Sequence, residues 1–158
     1  MGRQVAAGMG GTSGVDRAGA DRMAFRQEIA RAVLAYGQWR LDLYRSIVHG
    51  VGPLPPAVAR RDDACAFGTW LRDEVGPADR ATPEFERVRE LHASFHASAA
   101  EVLSLAERGA TAEATAALSP ESEYGRVSSS FTLALMGWLA ATAPAPEASA
   151  SEARSPAG

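Results

Sequence analysis

Two histidines in this chain stand at a spacing that can do chemistry. His92 and His96 lie four residues apart in the run PEFERVRELHASFHASAAEVL, residues 83–103, and on a helix residues four apart share one face, a turn from each other. Two imidazoles so placed can hold one metal ion. Their neighbours tell which face it is: Phe85, Val88, Ala99 and Leu103 fall on the same stripe, so the pair points at the core. A buried imidazole has two nitrogens to satisfy, and hydrogen bonds or a metal can do it.

Cys65 is the one cysteine. It opens a predicted short helix, where the helix dipole lowers a thiol pKa; taken alone, a free cysteine is more often a small buried hydrophobe. With no second cysteine there is no internal disulfide, and a reducing, cytoplasmic setting is expected. Asp62 and Asp63 stand three and two residues before it and are expected to cap that helix or to orient a ligating histidine. The third histidine, His49, ends the first predicted helix, where a solvated imidazole suits the dipole. Glu90 and Glu101 fall off the apolar stripe, so no carboxylate stands ready as a general base. No phosphate-binding glycine loop or Ser/His/Asp arrangement occurs either. No catalytic residues, and no enzyme, are expected.

The elements that must position these groups are helical. The first is predicted from Asp21 or Arg22 to Val48, with Phe25, Ile29, Ala32, Val33, Tyr36, Trp39, Leu43 and Ile47 on one stripe. A Pro/Gly-rich connection with at most a short helical turn leads to the short helix, Cys65 to Val75. Thr82 as N-cap and Pro83 at the first position open a long helix ending at Gly109. A short Ala-rich helix covers 111–118, and Ser119-Pro120-Glu121 is expected to cap a last helix carrying Tyr124, Val127, Phe131, Leu135 and Trp138. No period-two alternation occurs. The fold class is all-α, a four-helix-type bundle with an additional short helix carrying the cysteine. Its domain spans residues 21–141. Residues 1–20 and 142–158, rich in Gly, Ala, Ser and Pro, are expected to be disordered tails.

Composition agrees. The chain has 158 residues, enough for one domain with a core, and its 33 alanines favour helix. All 16 basic residues are arginine and the net charge is -3. Without a basic cluster, nucleic acid is not an expected partner. No apolar run reaches the roughly 20 residues of a membrane span, and neither a signal peptide nor a myristoylation pattern is present at the N-terminus.

The string DDACAFGTWL, residues 62–71, followed by the histidine run, resembles the chemoreceptor zinc-binding (CZB) domain family. Its hallmarks are a Cys-x-hydrophobic-Gly-x-Trp-Leu segment and a downstream His-x-x-Phe-His; Cys65, Phe67, Gly68, Trp70, Leu71, His92, Phe95 and His96 all match. The resemblance runs from residue 22 to about 140. It implies a helical bundle holding one zinc ion through three histidines and a cysteine, used in bacterial signalling, with chemoreceptors and diguanylate cyclases, to sense zinc or oxidants. Cys65, His92 and His96 fall on three of those ligand positions. The fourth, a first-helix histidine in a pattern like Ala-His-x-x-Trp, corresponds to Tyr36 in Ala35-Tyr36-Gly37-Gln38-Trp39. A phenol is a poorer zinc ligand than imidazole at neutral pH, its ordinary pKa being about 10. His49, about 20 Å further along the helix, reaches the site only from another subunit or a rearranged helix end.

Three outcomes follow from the resemblance. One Zn2+ per chain is held by Cys65, His92 and His96, weakly or with water or the Tyr36 oxygen in the fourth position; or the bundle keeps the fold without tight zinc; or a different small ligand fills the pocket. The expected function is a stand-alone sensory or regulatory zinc-binding domain, acting through a homodimer or a signalling partner protein. The alternative is a metal-free structural or interaction bundle.

Overall fold

In the computed structural model, residues 12–49 and 54–144 are described. Helix α1 spans Thr12–His49, α2 Pro56–Ala59, a 3-10 turn Asp62–Ala64, α3 Ala66–Asp73, α4 Pro77–Arg80, α5 Pro83–Glu107, α6 Thr111–Ala116 and α7 Glu123–Ala141. Among the described residues there is no strand, in keeping with the all-α expectation, and no helix is long and apolar enough to cross a membrane.

Local chemistry sets the ends of α5. The Thr82 hydroxyl accepts the Phe85 N–H at 3.3 Å, and Pro83 occupies the first turn, where its missing N–H costs nothing. At the other end Gly109 adopts φ 78°, a left-handed conformation that suits glycine. It lets the Ala110 N–H reach the Leu105 carbonyl and the Gly109 N–H the Ala106 carbonyl, both at 3.0 Å, a Schellman stop.

The three long helices bury their predicted stripes against one another, α7 lying against both α5 and α1. Trp138, Phe95, Phe131, Ile29 and Leu103 are fully buried at the centre. The fourth side is made of short pieces: α2 lies on α5, and α3 sends Phe67 and Trp70 between the long helices. Trp70 meets Phe25 of α1 at 5.2 Å and Trp138 of α7 at 5.9 Å. Trp39, Trp70 and Trp138 all serve packing.

Two boundaries differ from expectation. Helix α1 begins at Thr12, not at Asp21 or Arg22, so residues 12–20 of the expected disordered tail are helical. Once the buried part of α1 is nucleated, each further residue adds a backbone hydrogen bond without a new nucleation cost, and the helix extends even through Gly14 and Gly19. The remaining tail residues, 1–11 and 145–158, lie outside the described residues. Helix α7 is capped by Ser122, whose hydroxyl accepts the Gly125 N–H at 3.0 Å, and not by Ser119-Pro120-Glu121. Ser119 is used differently: its carbonyl accepts the Ser122 N–H and hydroxyl. A Cβ on Gly125 would overlap that carbonyl, so glycine allows the first turn of α7 to sit on it.

Candidate metal centre

Helix α5 fixes both histidines on the core face, with exposures of 2% for His92 and 6% for His96. Their burial demands partners, since an unpaired polar group there costs about 1–3 kcal/mol. His96 Nδ1 lies 2.7 Å from the Ala59 carbonyl oxygen at the end of α2. The ring nitrogen can only donate to that carbonyl, which leaves Nε2 with its lone pair turned into the site.

Cys65 is brought in by the start of α3. It is the N-cap residue, and its sulfur accepts the Gly68 N–H at 3.1 Å. That contact needs Gly68: a Cβ there would overlap the Asp62 carbonyl oxygen and come within 3.0 Å of His92 Cε1. Cys65 Sγ stands 3.2 Å from His92 Nε2. One ligand atom each from Cys65, His92 and His96 lie within 4.8 Å of one another. Tyr36, from α1, points its hydroxyl into the same group: Oη is 2.6 Å from His92 Nε2, 3.4 Å from Cys65 Sγ and 3.5 Å from His96 Nε2.

The fit of a metal ion can be judged from these separations. Zinc holds sulfur at about 2.3 Å and imidazole nitrogen at about 2.0–2.1 Å, so the edges of a tetrahedral set are about 3.3–3.6 Å. The Cys65–His92, Tyr36–Cys65 and Tyr36–His96 separations come close to that range. The Tyr36–His92 separation does not; 2.6 Å is a hydrogen bond. Cys65, His92 and His96 are thus positioned to hold a metal ion, and one sulfur with two imidazoles is a zinc-type donor set.

Electrostatics favours the same assignment. Burial opposes ionisation of Cys65, but its polar neighbours, His92, His96, Tyr36 and the Gly68 N–H, outweigh it and bring the thiol down to about 5. Burial opposes charging of His96 too, yet its contacts with Cys65 and the Ala59 carbonyl raise its pKa overall. Tyr36 is pushed upward, first by burial and then by the Cys65 charge, and stays a neutral phenol.

The acidic neighbours stand apart from their expected roles. Cys65, not an aspartate, caps α3. Asp63 is turned outward to Arg61, at 3.2 Å, and what Asp62 gives the site is its backbone carbonyl, 3.5 Å from Cys65 Sγ. Asp63 likewise uses its carbonyl, which accepts from Thr69 and Arg72. His49 is exposed at the end of α1 and outside the cluster. The partners missed in the sequence are backbone groups, Ala59 and Gly68, for which side-chain types give no signal. A cavity of about 370 Å3 opens beside the centre, lined by Tyr36, Cys65 and His96 together with Trp39, Val58 and Phe67.

Residues 37–103 match the family described as the chemoreceptor zinc-binding domain, CZB. The match takes in Cys65, His92 and His96, begins one residue after Tyr36, and is narrower than the stretch expected from the motifs. No curated protein and no solved structure matches the chain.

Proposed function

We propose, from the match of residues 37–103 to the chemoreceptor zinc-binding domain family, that the chain is a zinc-binding sensory module of a signalling system, responding to zinc availability or to oxidation of Cys65. The observation that carries this reading is the convergence of Cys65, His92 and His96. When bound, zinc would supply a cross-link between α3 and α5 and would hold the Cys65 sulfur as thiolate. The chain's own residues do the rest. Ala59 aims His96, Gly68 holds the sulfur, and Tyr36 stands in for the family's first-helix histidine as a neutral hydrogen-bonding neighbour.

The moving part is the Pro56–Cys65 segment, not the whole of α3. Phe67, Trp70 and Leu71 root α3 in the core, whereas the 3-10 turn has no buried residue. Oxidation of Cys65 by a peroxide-type oxidant adds oxygen to the sulfur, weakens it as a ligand and crowds its close contact with the Gly68 N–H. The response then passes along α2, through Ala59, to a partner protein or a second copy.

Metal analysis of the purified chain tests the reading. One zinc per chain, lost in Cys65→Ser and in His92→Ala, is the expected result. A metal-free bundle is favoured by one observation, the 2.6 Å bond between Tyr36 and His92, which satisfies the cluster without an ion; no zinc above background in the unmodified chain would select that reading.

A further inference from the structure

Helix α1 carries a second apolar stripe, on the side turned away from the core. Ala30, Leu34, Gly37, Leu41, Tyr44 and Val48 follow one another at spacings of four, three, four, three and four residues, the repeat by which two helices share a seam. Leu34 is 75% exposed, and Leu41, Tyr44 and Val48 are between 41% and 49% exposed. At Gly37 the stripe has a hole: a Cβ there would meet nothing, and a cavity of about 300 Å3 opens beside it, with Arg40, Tyr44, Leu118 and Tyr124 in its walls. Arg31, Gln38 and Arg45 border the stripe on one side and Val33, Arg40 and Ile47 on the other. No acid stands at any of these bordering positions. Residues 30–48 carry three arginines against one acid, Asp42, in a chain whose net charge is -3. Arg31 and Arg45 have surface partners one turn back, Glu28 and Asp42; among the described residues Arg40 has no ion-pair partner.

We propose that this stripe docks an amphipathic helix of a partner protein, apolar along one seam and acidic beside it. A large apolar side chain of the partner enters at Gly37, and carboxylates next to it meet Arg40 and Arg45. Charge argues against a second copy as the occupant. In a parallel pair, Arg40 of one chain would lie beside Arg45 of the other; in an antiparallel pair, Arg31 would face Arg45 and Arg40 would face Arg40. Like charges at such bordering positions oppose pairing, and opposite charges select the partner. The narrow seam and its hole suit a helix with side chains that interlock, not the flat surface of a bilayer. The inference is independent of the zinc reading, since no group of the metal centre takes part.

The test uses the full chain and two designed helical peptides, each with leucine along its seam, one bordered by glutamate and the other by lysine. Calorimetric titration measures their binding, and sedimentation velocity measures the state of the chain alone. The expected result is a monomeric chain that takes up one glutamate peptide about tenfold more tightly than the lysine peptide, with a gap that narrows at high salt. Arg40→Glu combined with Arg45→Glu should reverse the preference. Leu41→Glu and Gly37→Glu, both at exposed positions, should each abolish binding of the glutamate peptide, with thermal melts confirming that the bundle still folds. No binding, equal affinity for the two peptides, or binding that survives Leu41→Glu overturns the proposal. So does a dimer that Leu41→Glu dissolves, which would give the stripe to a second copy. Capture by phosphatidylglycerol vesicles in place of either peptide, lost in Leu41→Glu, would give it to a membrane surface and overturn the proposal equally.

Discussion

Tyr36 is packed on every side by rings, Phe95 at 5.0 Å and Phe131 at 4.8 Å among them, so its hydroxyl can go nowhere but into the Cys65–His92–His96 group. An imidazole at that position would bring a nitrogen lone pair where the phenol brings a proton. Tyr36→His should tighten zinc binding by at least about tenfold, about 1.4 kcal/mol, in a calorimetric titration; an unchanged affinity would remove Tyr36 from the fourth-ligand position. A second tyrosine gives a pH prediction. Burial raises Tyr124 to about 12, whereas an unfolded phenol ionises near 10. The folded state therefore keeps a proton that the unfolded state loses, and the stability this represents is complete below pH 10 and disappears as pH rises toward 12. Denaturant titrations between pH 9 and about 12 should show Tyr124→Phe losing less stability than the unmodified chain. At neutral pH the same variant should be no less stable, since the Tyr124 hydroxyl is buried without a partner. A matching alkaline loss in both proteins would contradict the assignment.

At the scale of elements, the centre depends on a close approach that a single methyl group would prevent. Gly68→Ala places a Cβ on the Asp62 carbonyl and against His92, so either the 3-10 turn or the first turn of α3 must shift. The expected cost is about 1–3 kcal/mol of stability, with zinc affinity falling alongside it, whereas Gly37→Ala, whose Cβ would meet nothing, should be neutral or slightly stabilising. Thermal melts of both variants with and without zinc check this, and equal melting of the two would show that the turn yields freely. Much of this arrangement is legible in the sequence. Thr82-Pro83, the apolar stripe and Gly109 mark α5, and the same stripe carries His92 and His96 inward, because both signals are local and repeat at the helical period. What could not be read depends on backbone meeting backbone or on tertiary support. Ala59 presents a carbonyl to His96, and Cys65 caps α3 in place of the aspartates because its sulfur lies within reach of the Gly68 N–H. Helix α1 runs out to Thr12 because its buried half carries the exposed half with it. The cavity arises only where the α2 segment, α1 and α3 come together.

Across the whole molecule, rigidity is unevenly distributed. The long helices meet in a ring of aromatic contacts, Phe25 to Trp138, Phe85 to Trp138 and Phe95 to Phe131, whereas residues 16–24 of α1 are exposed and the segment from α2 to Cys65 buries only Ala59. Local opening follows buried contact, so amide exchange should be slowest in α5 and α7, faster in the Pro56–Cys65 segment and fast in the exposed start of α1. Zinc binds the folded arrangement and stabilises it by about 2.7 kcal/mol at a hundredfold excess over its dissociation constant. If the ion acts through Cys65 and through the His96–Ala59 bond, the added protection should concentrate in 56–68 and the middle of α5, leaving the start of α1 unchanged. Cys65→Ser should abolish that pattern. Hydrogen exchange followed by mass spectrometry, with and without zinc, resolves it by segment. Protection spread evenly over α5 and α7, with none added in 56–68, would mean that zinc stabilises the bundle as a whole and that the α2 segment does not carry the response.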